Sequence, residues 1–343
     1  MTSRKTRSAV RWAGRYWLLL LAAAGLVALV VAVNPPRLVA VLSRMRWQLA
    51  LLMVPVTLVV YICQGTAWWV ALRRTGVRIS LFRCLTLEFA GQVFVYLPLG
   101  DLARVALMHR ARPRERVGAL TGTVVFQELT YMMLVGFGVL PRVASRLDVT
   151  LLVLLMTALH VGVVTTIVWK PAYDRGRRLA ERFKPLQRFD RALRELRPAF
   201  LELLGWRSAL PIIALQSAAA LLSFVLFHMA LLALGLTHIS FVTSTFILGL
   251  SYILAGMSFV PGGLGAFEGL LTILMVGNGV PAAAGAAAGL VYRSFTDLLT
   301  ALIGAPFALV ASRRNRGDAR KAQGPRARAD ELRRDRAGAR ARS

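Results

Sequence analysis

The sequence predicts an all-α polytopic membrane protein with about six full transmembrane helices and two re-entrant hairpins broken by proline and glycine. Hydrophobic residues make up 57% of the 343 residues, and the mean hydropathy is +0.59. Such values are typical of a chain that crosses a bilayer several times. The formal net charge of +27 does not by itself indicate nucleic-acid binding, because Lys and Arg accumulate in the cytoplasmic loops of membrane proteins.

Six apolar segments are long enough to cross a bilayer. The basic residues 1–15 precede the first segment, which predicts a cytoplasmic N-terminus and an uncleaved anchor rather than a signal peptide. Residues 16–311 form the predicted membrane domain, and we expect it in the plasma membrane with both termini in the cytoplasm. The predicted crossings are Tyr16–Val33, Trp47–Leu72, Gly118–Leu140, Leu151–Trp169, Ala209–Leu236 and Pro281–Ala311.

The first predicted hairpin follows the apolar segment Leu85–Leu97, which contains Glu88 and Gln92. This segment ends in the sequence Pro98-Leu99-Gly100-Asp101-Leu102-Ala103-Arg104. A full crossing here would place five arginines outside, against the positive-inside rule. A hairpin that enters from the cytoplasm and returns there satisfies the rule.

The second predicted hairpin lies within the apolar region Ile239–Val276. Pro261 removes a backbone donor, and Gly262, Gly263 and Gly265 allow backbone angles that other residues avoid. Broken backbone at membrane depth is tolerated where protein buries it or where it lines a wet cavity. Glu268 adds an ionisable group, so we expect a re-entrant hairpin that lines a polar cavity; the alternative is a kinked helix whose acid snorkels to the interface.

The order of elements predicts an inverted repeat. Each half consists of a span, a broken hairpin and a span, and the two halves start on opposite sides of the membrane. Many transporters place a polar site at the bilayer midplane between two such halves. This comparison is an analogy between folds and does not establish transport.

Charged residues within the predicted spans are candidates for that site. Glu128 lies beside Gln127 in the third span, and Arg293 and Asp297 lie one turn apart in the last. At this spacing the last two side chains can pair, which lowers the cost of burying both. The spacing leaves open whether the pair is structural or belongs to a binding site.

The remaining segments are predicted from their composition. Residues 170–207 form a basic loop with apolar residues at helical spacing, which predicts an amphipathic segment on the anionic inner leaflet. Packing of a helical hairpin on the membrane domain is the main alternative, and partner binding is a third. Residues 312–343 are rich in Arg, Ala and Gly and are expected to be a disordered cytoplasmic tail.

The chain resembles the membrane region of lysylphosphatidylglycerol synthases and the related stand-alone flippase-like proteins. The resemblance covers about Tyr16 to Ala311 and rests on three motifs. It implies a membrane fold that moves or handles lipids, often beside enzymes of envelope lipid and glycan synthesis. The chain has Gln127-Glu128 where the family commonly has a Glu-Arg pair, and we expect no aminoacyl-transferase domain and no lysyl transfer. The motifs are Pro98-x-Gly100-Asp101-x-x-Arg104, Pro261-Gly262-Gly263-Leu264-Gly265-x-x-Glu268 and Tyr292-Arg293.

Three hypotheses for function follow. The first is a lipid transporter or flippase that handles a phospholipid or polyprenyl-linked substrate with a charged headgroup. The second is a non-catalytic accessory subunit of a glycosyltransferase or lipid-modifying enzyme. The third, an intramembrane enzyme, is disfavoured because the sequence has no His-based triad, Walker loop or metal-ligand cluster; we therefore expect no enzyme activity, no cofactor and no nucleic-acid partner. The candidate substrate-binding residues are Pro98, Gly100, Asp101, Arg104, Glu128, Pro261, Gly262, Gly263, Gly265, Glu268, Arg293 and Asp297.

Overall fold

The computed structural model describes residues 31, 35–96, 100–112, 115–140, 147–182, 187, 190–258 and 260–310, and the regular structure in these ranges is helical. The predicted N-terminal segment 1–15, all of the first predicted crossing but Val31, and the tail 312–343 lie outside the described residues. Pro98 also lies outside them.

The helices follow one another with short connections. They are α1 (Pro35–Ser43), α2 (Trp47–Arg74), α3 (Leu81–Gln92), α4 (Ala103–Ala111), α5 (Val117–Gly136), α6 (Leu147–Val168), α7 (Lys170–Glu181), α8 (Asp190–Leu204), α9 (Trp206–Ala233), α10 (Phe241–Met257), α11 (Ala266–Val276) and α12 (Ala282–Arg293, continuing to Val310). Four of these helices are long and apolar enough to cross a membrane, and α6 and α7, which meet at a 93° bend, add a fifth crossing if they form one span. The all-α membrane fold is therefore confirmed, and α2, α5, α6, α9 and α12 correspond to five of the six predicted crossings.

The two predicted hairpins are helix pairs whose arms are short. With 12 and 9 residues, α3 and α4 are about 18 and 14 Å long, whereas the hydrocarbon core is about 30 Å thick. The arms of the second hairpin, α10 and α11, have 17 and 11 residues. A 3-10 turn precedes the second arm in each hairpin, at Gly100–Leu102 and at Pro261–Gly263.

Helices α2 and α9 form the centre of the molecule and pack along their lengths. They run antiparallel, because the backbone N–H of Arg46 donates to the carbonyl of Ala233 at 2.8 Å while Ala71 and Ile212 share a cluster further along. On either side, α3 packs on α2 and α10 on α9, and α4 packs on α5 as α11 packs on α12. The two halves thus have matching helix contacts, and their first helices run in opposite directions, as the predicted inverted repeat requires.

The basic loop contains α7 and α8, and α8 packs on α5. The rings of Phe126 and Phe200 meet edge to face at 5.3 Å, and Leu203 is buried. A Cβ at Gly122 would lie 2.8 Å from the carbonyl oxygen of Leu196, so glycine permits this close approach. The apolar face of α8 therefore contacts protein, which favours packing on the membrane domain over a position on the lipid surface. Leu179 on α7, in contrast, is exposed.

The direction of the first hairpin can be tested by labelling with an impermeant thiol reagent in intact cells. In a background with Cys63 and Cys84 replaced by alanine, we expect a cysteine at exposed Arg110 to be shielded, because the predicted hairpin would return α4 to the cytoplasm. A cysteine at exposed His238, in the turn between α9 and α10, should react. Reaction at Arg110 would show a full crossing and contradict the inverted repeat.

Candidate functional site

The first half of the chain contains a buried cluster of one arginine and two glutamates, which we call the first-half cluster. One guanidinium nitrogen of Arg104 lies 2.5 Å from Glu88, and the other lies 2.5 Å from Glu128. The three residues come from three helices, α3, α4 and α5. The side chains of Arg104 and Glu88 are 4% and 1% exposed, whereas that of Glu128 is 37% exposed.

The neighbours of this cluster hold the arginine in place. The guanidinium lies 5.2 Å from the ring of Trp68 on α2, a cation–π distance. The indole N–H of Trp68 donates to Thr123 Oγ1 at 3.0 Å, which fixes the ring. Arg104 Nε is buried and has no acceptor among the described residues. The arginine therefore keeps one free donor.

The second half contains a matching cluster, the second-half cluster, of Glu268, Arg293 and Asp297. Arg293 Nε lies 3.2 Å from Glu268, and Arg293 Nη1 lies 2.8 Å from Asp297. The guanidinium lies 4.7 Å from the ring centroid of Phe267. The side chains are 2% (Glu268), 12% (Arg293) and 13% (Asp297) exposed. Each half thus holds one arginine between two carboxylates and beside an aromatic ring.

Glycines in the second hairpin position this cluster. Gly262 and Gly263 have φ values of 61° and 62°, and Gly265 has a φ of 75°, a region that other L-residues rarely adopt. Gly265 is the N-cap of α11, and its backbone N–H donates to Glu268 Oε2 at 2.7 Å. Glu268 therefore caps the helix with one oxygen and pairs Arg293 with the other.

The pair predicted in the last span is confirmed, although the helix there is not a regular α-helix. A π-helical stretch, Ser294–Leu299, begins directly after Arg293 and contains Asp297. The hydroxyl of Tyr61 donates to the carbonyl of Thr296 at 2.9 Å. Such π-helical turns are frequent at functional sites.

The tips of the two hairpins meet beside the second-half cluster. The hydroxyl of Tyr96, in the first hairpin, donates to Asp297 Oδ2 at 3.0 Å. A Cβ at Gly262 would lie 2.8 Å from the ring of Tyr96 and 3.2 Å from the carbonyl oxygen of Val95. At Gly100 a Cβ would collide with the carbonyl oxygen of Phe94. Both breaks therefore require glycine for close packing.

The structure gathers most of the predicted residues into the two clusters and the turns around them. Asp101 differs, because its side chain is exposed and has no ion pair within the described part of the chain. The backbone of Pro261 begins the 3-10 turn of the second hairpin. The prediction missed Glu88 and Tyr96 as site residues, although an acid inside an apolar segment is itself the signal that identified Glu128 and Glu268.

An apolar cavity of about 550 Å³ lies elsewhere. Its walls come mainly from α5, α6 and α9, and they are apolar apart from a few side chains such as Thr157 and His160. None of the residues of the two clusters lines it. The cavity is therefore separate from the charged site.

The helical spans and the two buried clusters define a multi-pass α-helical membrane protein with charged groups at membrane depth. The chain belongs to the family described as the lysylphosphatidylglycerol synthase TM region, whose model matches residues 16–304. This match confirms the resemblance and makes the chain an integral membrane protein of lipid and envelope metabolism. Comparison with curated proteins found no match.

Proposed function

We propose that this protein is a flippase-type transporter that moves a lipid with a charged headgroup across the plasma membrane. The observation that carries the proposal is the meeting of two broken hairpins beside the second-half cluster, with a matching arginine–carboxylate cluster in the first half. Ionisable groups at membrane depth are costly and mark the pathway of a substrate or ion in many membrane proteins. A headgroup crossing hydrocarbon needs such polar partners, whereas its acyl chains can stay in lipid.

The clusters have the chemistry to bind a phosphate-containing headgroup. Guanidinium groups bind carboxylate and phosphate with the same paired N–H donors. A phosphate can therefore replace one carboxylate on Arg104 or Arg293 without leaving the cation unpaired. Arg104 Nε, which has no acceptor among the described residues, provides a further donor. The carboxylate that is released can accept an amine or a proton.

The proposed orientation has both termini in the cytoplasm, so the first hairpin opens inward and the second outward. The accessory hypothesis remains the competing proposal, since the exposed basic residues of α7 could contact an envelope-synthesis enzyme. The two differ in what the purified protein does alone. A transporter moves lipid without another protein, and a scaffold does not.

The test is a reconstituted assay with fluorescent phosphatidylglycerol, phosphatidylethanolamine and polyprenyl phosphate in separate vesicle preparations. Movement is followed as the fraction of probe that external dithionite can quench. We expect the wild type to raise this fraction for at least one probe and Arg104→Met to lose that effect. The matched control is Arg110→Met, on the exposed face of the same helix. If the wild type moves none of the probes, the transport proposal fails and the accessory proposal is favoured.

A further inference from the structure

The two clusters have the same formal charge but different hydrogen-bond partners. Each contains one arginine and two carboxylates, a formal sum of −1 when all three are ionised. In the second-half cluster, neutral hydrogen-bond donors stabilise the excess negative charge. The Gly265 N–H donates to Glu268, and the hydroxyl of Tyr96 donates to Asp297. In the first-half cluster, the structure gives Glu88 and Glu128 the same single donor residue among the described residues, Arg104.

We propose that the first-half cluster binds one exchangeable proton on Glu128 and that this proton is the coupling ion for lipid movement. The inference rests on the proposed function for its coupling step only. An excess negative charge that is buried and lacks neutral donors is expensive. A proton on one carboxylate removes the excess and converts the cluster into a neutral group.

The exposure of the two glutamates selects Glu128. The Glu88 side chain is 1% exposed and packs against Gly65 on α2, where a Cβ would lie 3.3 Å from it. The Glu128 side chain is 37% exposed. Glu128 therefore has a side that protein does not cover, from which it can exchange a proton without any opening of the packed core, whereas Glu88 has none in this conformation.

The groups that surround Glu128 come from several helices. Arg104 on α4 pairs with it directly, and Glu88 on α3 shares that arginine. Asp101, in the turn before α4, adds a third charge that acts on Glu128 electrostatically. On its own helix, Tyr131 lies one turn away and bonds Ser223 of α9 at 2.9 Å.

Among the described residues, the other helices that pack on α5 contribute neutral side chains near Glu128 or carry their charged groups elsewhere, and α10 has no charged residue. From α2, Trp68 faces the cluster, and Gln127 reaches the carbonyl of Gln64 on that helix at 3.0 Å. Glu195 on α8 contacts Gly118, at the far end of α5. His160 on α6 lines the separate apolar cavity.

A proton fits this cluster better than a metal ion. The carboxylates already point at one guanidinium, and the described residues contain no group of three His, Cys, Asp or Glu side chains placed to hold a metal. When Glu128 takes a proton, its charge-assisted bond to Arg104 weakens and the guanidinium can bind a headgroup phosphate. When the headgroup leaves, Arg104 returns to Glu128, and the cluster exchanges its proton with water. Coupling requires that the proton is taken up on one side of the membrane and released on the other, so that one proton crosses with each lipid.

The proton can be detected without any lipid substrate, by infrared spectroscopy of the full chain in lipid nanodiscs. We expect the wild type at neutral pH to show the C=O band of a protonated carboxyl, which shifts in D₂O and disappears as the pH rises. Glu128→Gln should lose this band, and Glu202→Gln, at an exposed acid of α8, should keep it. Glu128→Asp, which retains a carboxyl, serves as a second variant if the glutamine variant does not fold. A wild-type band that persists unchanged in Glu128→Gln, or no band at all, would overturn the proposal.

Coupling is tested with the fluorescent lipid that the wild type moves. We expect an imposed pH gradient to change the wild-type rate several-fold, and any rate that remains in Glu128→Gln to be insensitive to the gradient. Movement that ignores the gradient in the wild type would overturn the coupling and leave transport standing. Absence of all lipid movement with the carboxyl band intact would overturn the proposed function and the coupling but not the proton site.

Discussion

The substitution Glu268→Gln is expected to leave folding nearly unchanged and to slow lipid movement strongly. Glutamine has the same shape, and its amide oxygen can still accept the Gly265 N–H that caps α11. Arg293 retains Asp297, so no cation is left unpaired. The substitution removes only the negative charge of Glu268. Because hydrogen bonds to charged groups contribute about 1.5–3 kcal/mol, the rate in the vesicle assay should fall roughly 10- to 100-fold.

The matched control for this prediction is Glu202→Gln, the same chemical change at an exposed position of α8. The control should move lipid at the wild-type rate, and both variants should melt close to the parent in nanodiscs. If Glu268→Gln also moves lipid at the parent rate, Glu268 is no part of the site. The motif around Pro261 would then act only as a helix break.

The substitution Arg293→Met is expected to have the largest effect on stability. It removes the cation that pairs two carboxylates, which are 2% and 13% exposed. Breaking a buried ion pair by removing one partner costs about 3–5 kcal/mol, because it leaves a buried charge without compensation. Thermal unfolding in nanodiscs should therefore shift strongly downward, and the yield of folded protein should fall.

A combined variant separates this electrostatic cost from the loss of packing. Adding Glu268→Gln and Asp297→Asn to Arg293→Met removes all three charges, and both amides keep an acceptor for Gly265 N–H and the Tyr96 hydroxyl. This triple variant should recover most of the lost stability and remain unable to move lipid. The double variant Arg293→Met with Asp297→Leu should recover less, because Glu268 stays charged. A single Arg293→Met variant as stable as the parent would contradict the pairing seen in the structure.

The features of the fold that depend on local sequence could be predicted. Pro261 with its three glycines specifies a break wherever the chain is placed, and the spacing of Arg293 and Asp297 brings them onto one helix face. The positive-inside rule then fixed the hairpin interpretation of the first break. Helix-breaking residues and helical spacing depend on a few neighbouring positions, and the charge rule depends on the loops beside each span. All three can therefore be read from a single sequence.

Features that depend on packing between helices could not be predicted. Glu88 is recognisable in the sequence as an acid in an apolar segment. Its partner Arg104 lies on the other arm of the hairpin, and helical spacing does not predict a pairing between two arms. Tyr96 and Asp297 are 201 positions apart, and no short motif relates them. The π-helical stretch was also missed, since it depends on contacts such as the one between Tyr61 and Thr296.

The hydrogen bond between Tyr96 and Asp297 also bears on biosynthesis. During synthesis the N-terminal part of a chain is available to fold first, so the hydroxyl of Tyr96 precedes the acid that it binds. The last span can then enter the membrane with Arg293 and Asp297 already paired. The hydroxyl of Tyr96, which also donates to Asp297, is by then in place. If the second half were produced without the first, Asp297 would lack that donor and Gly262 would lack the tip of the first hairpin. We therefore expect the second half to depend on the first for its maturation in the membrane.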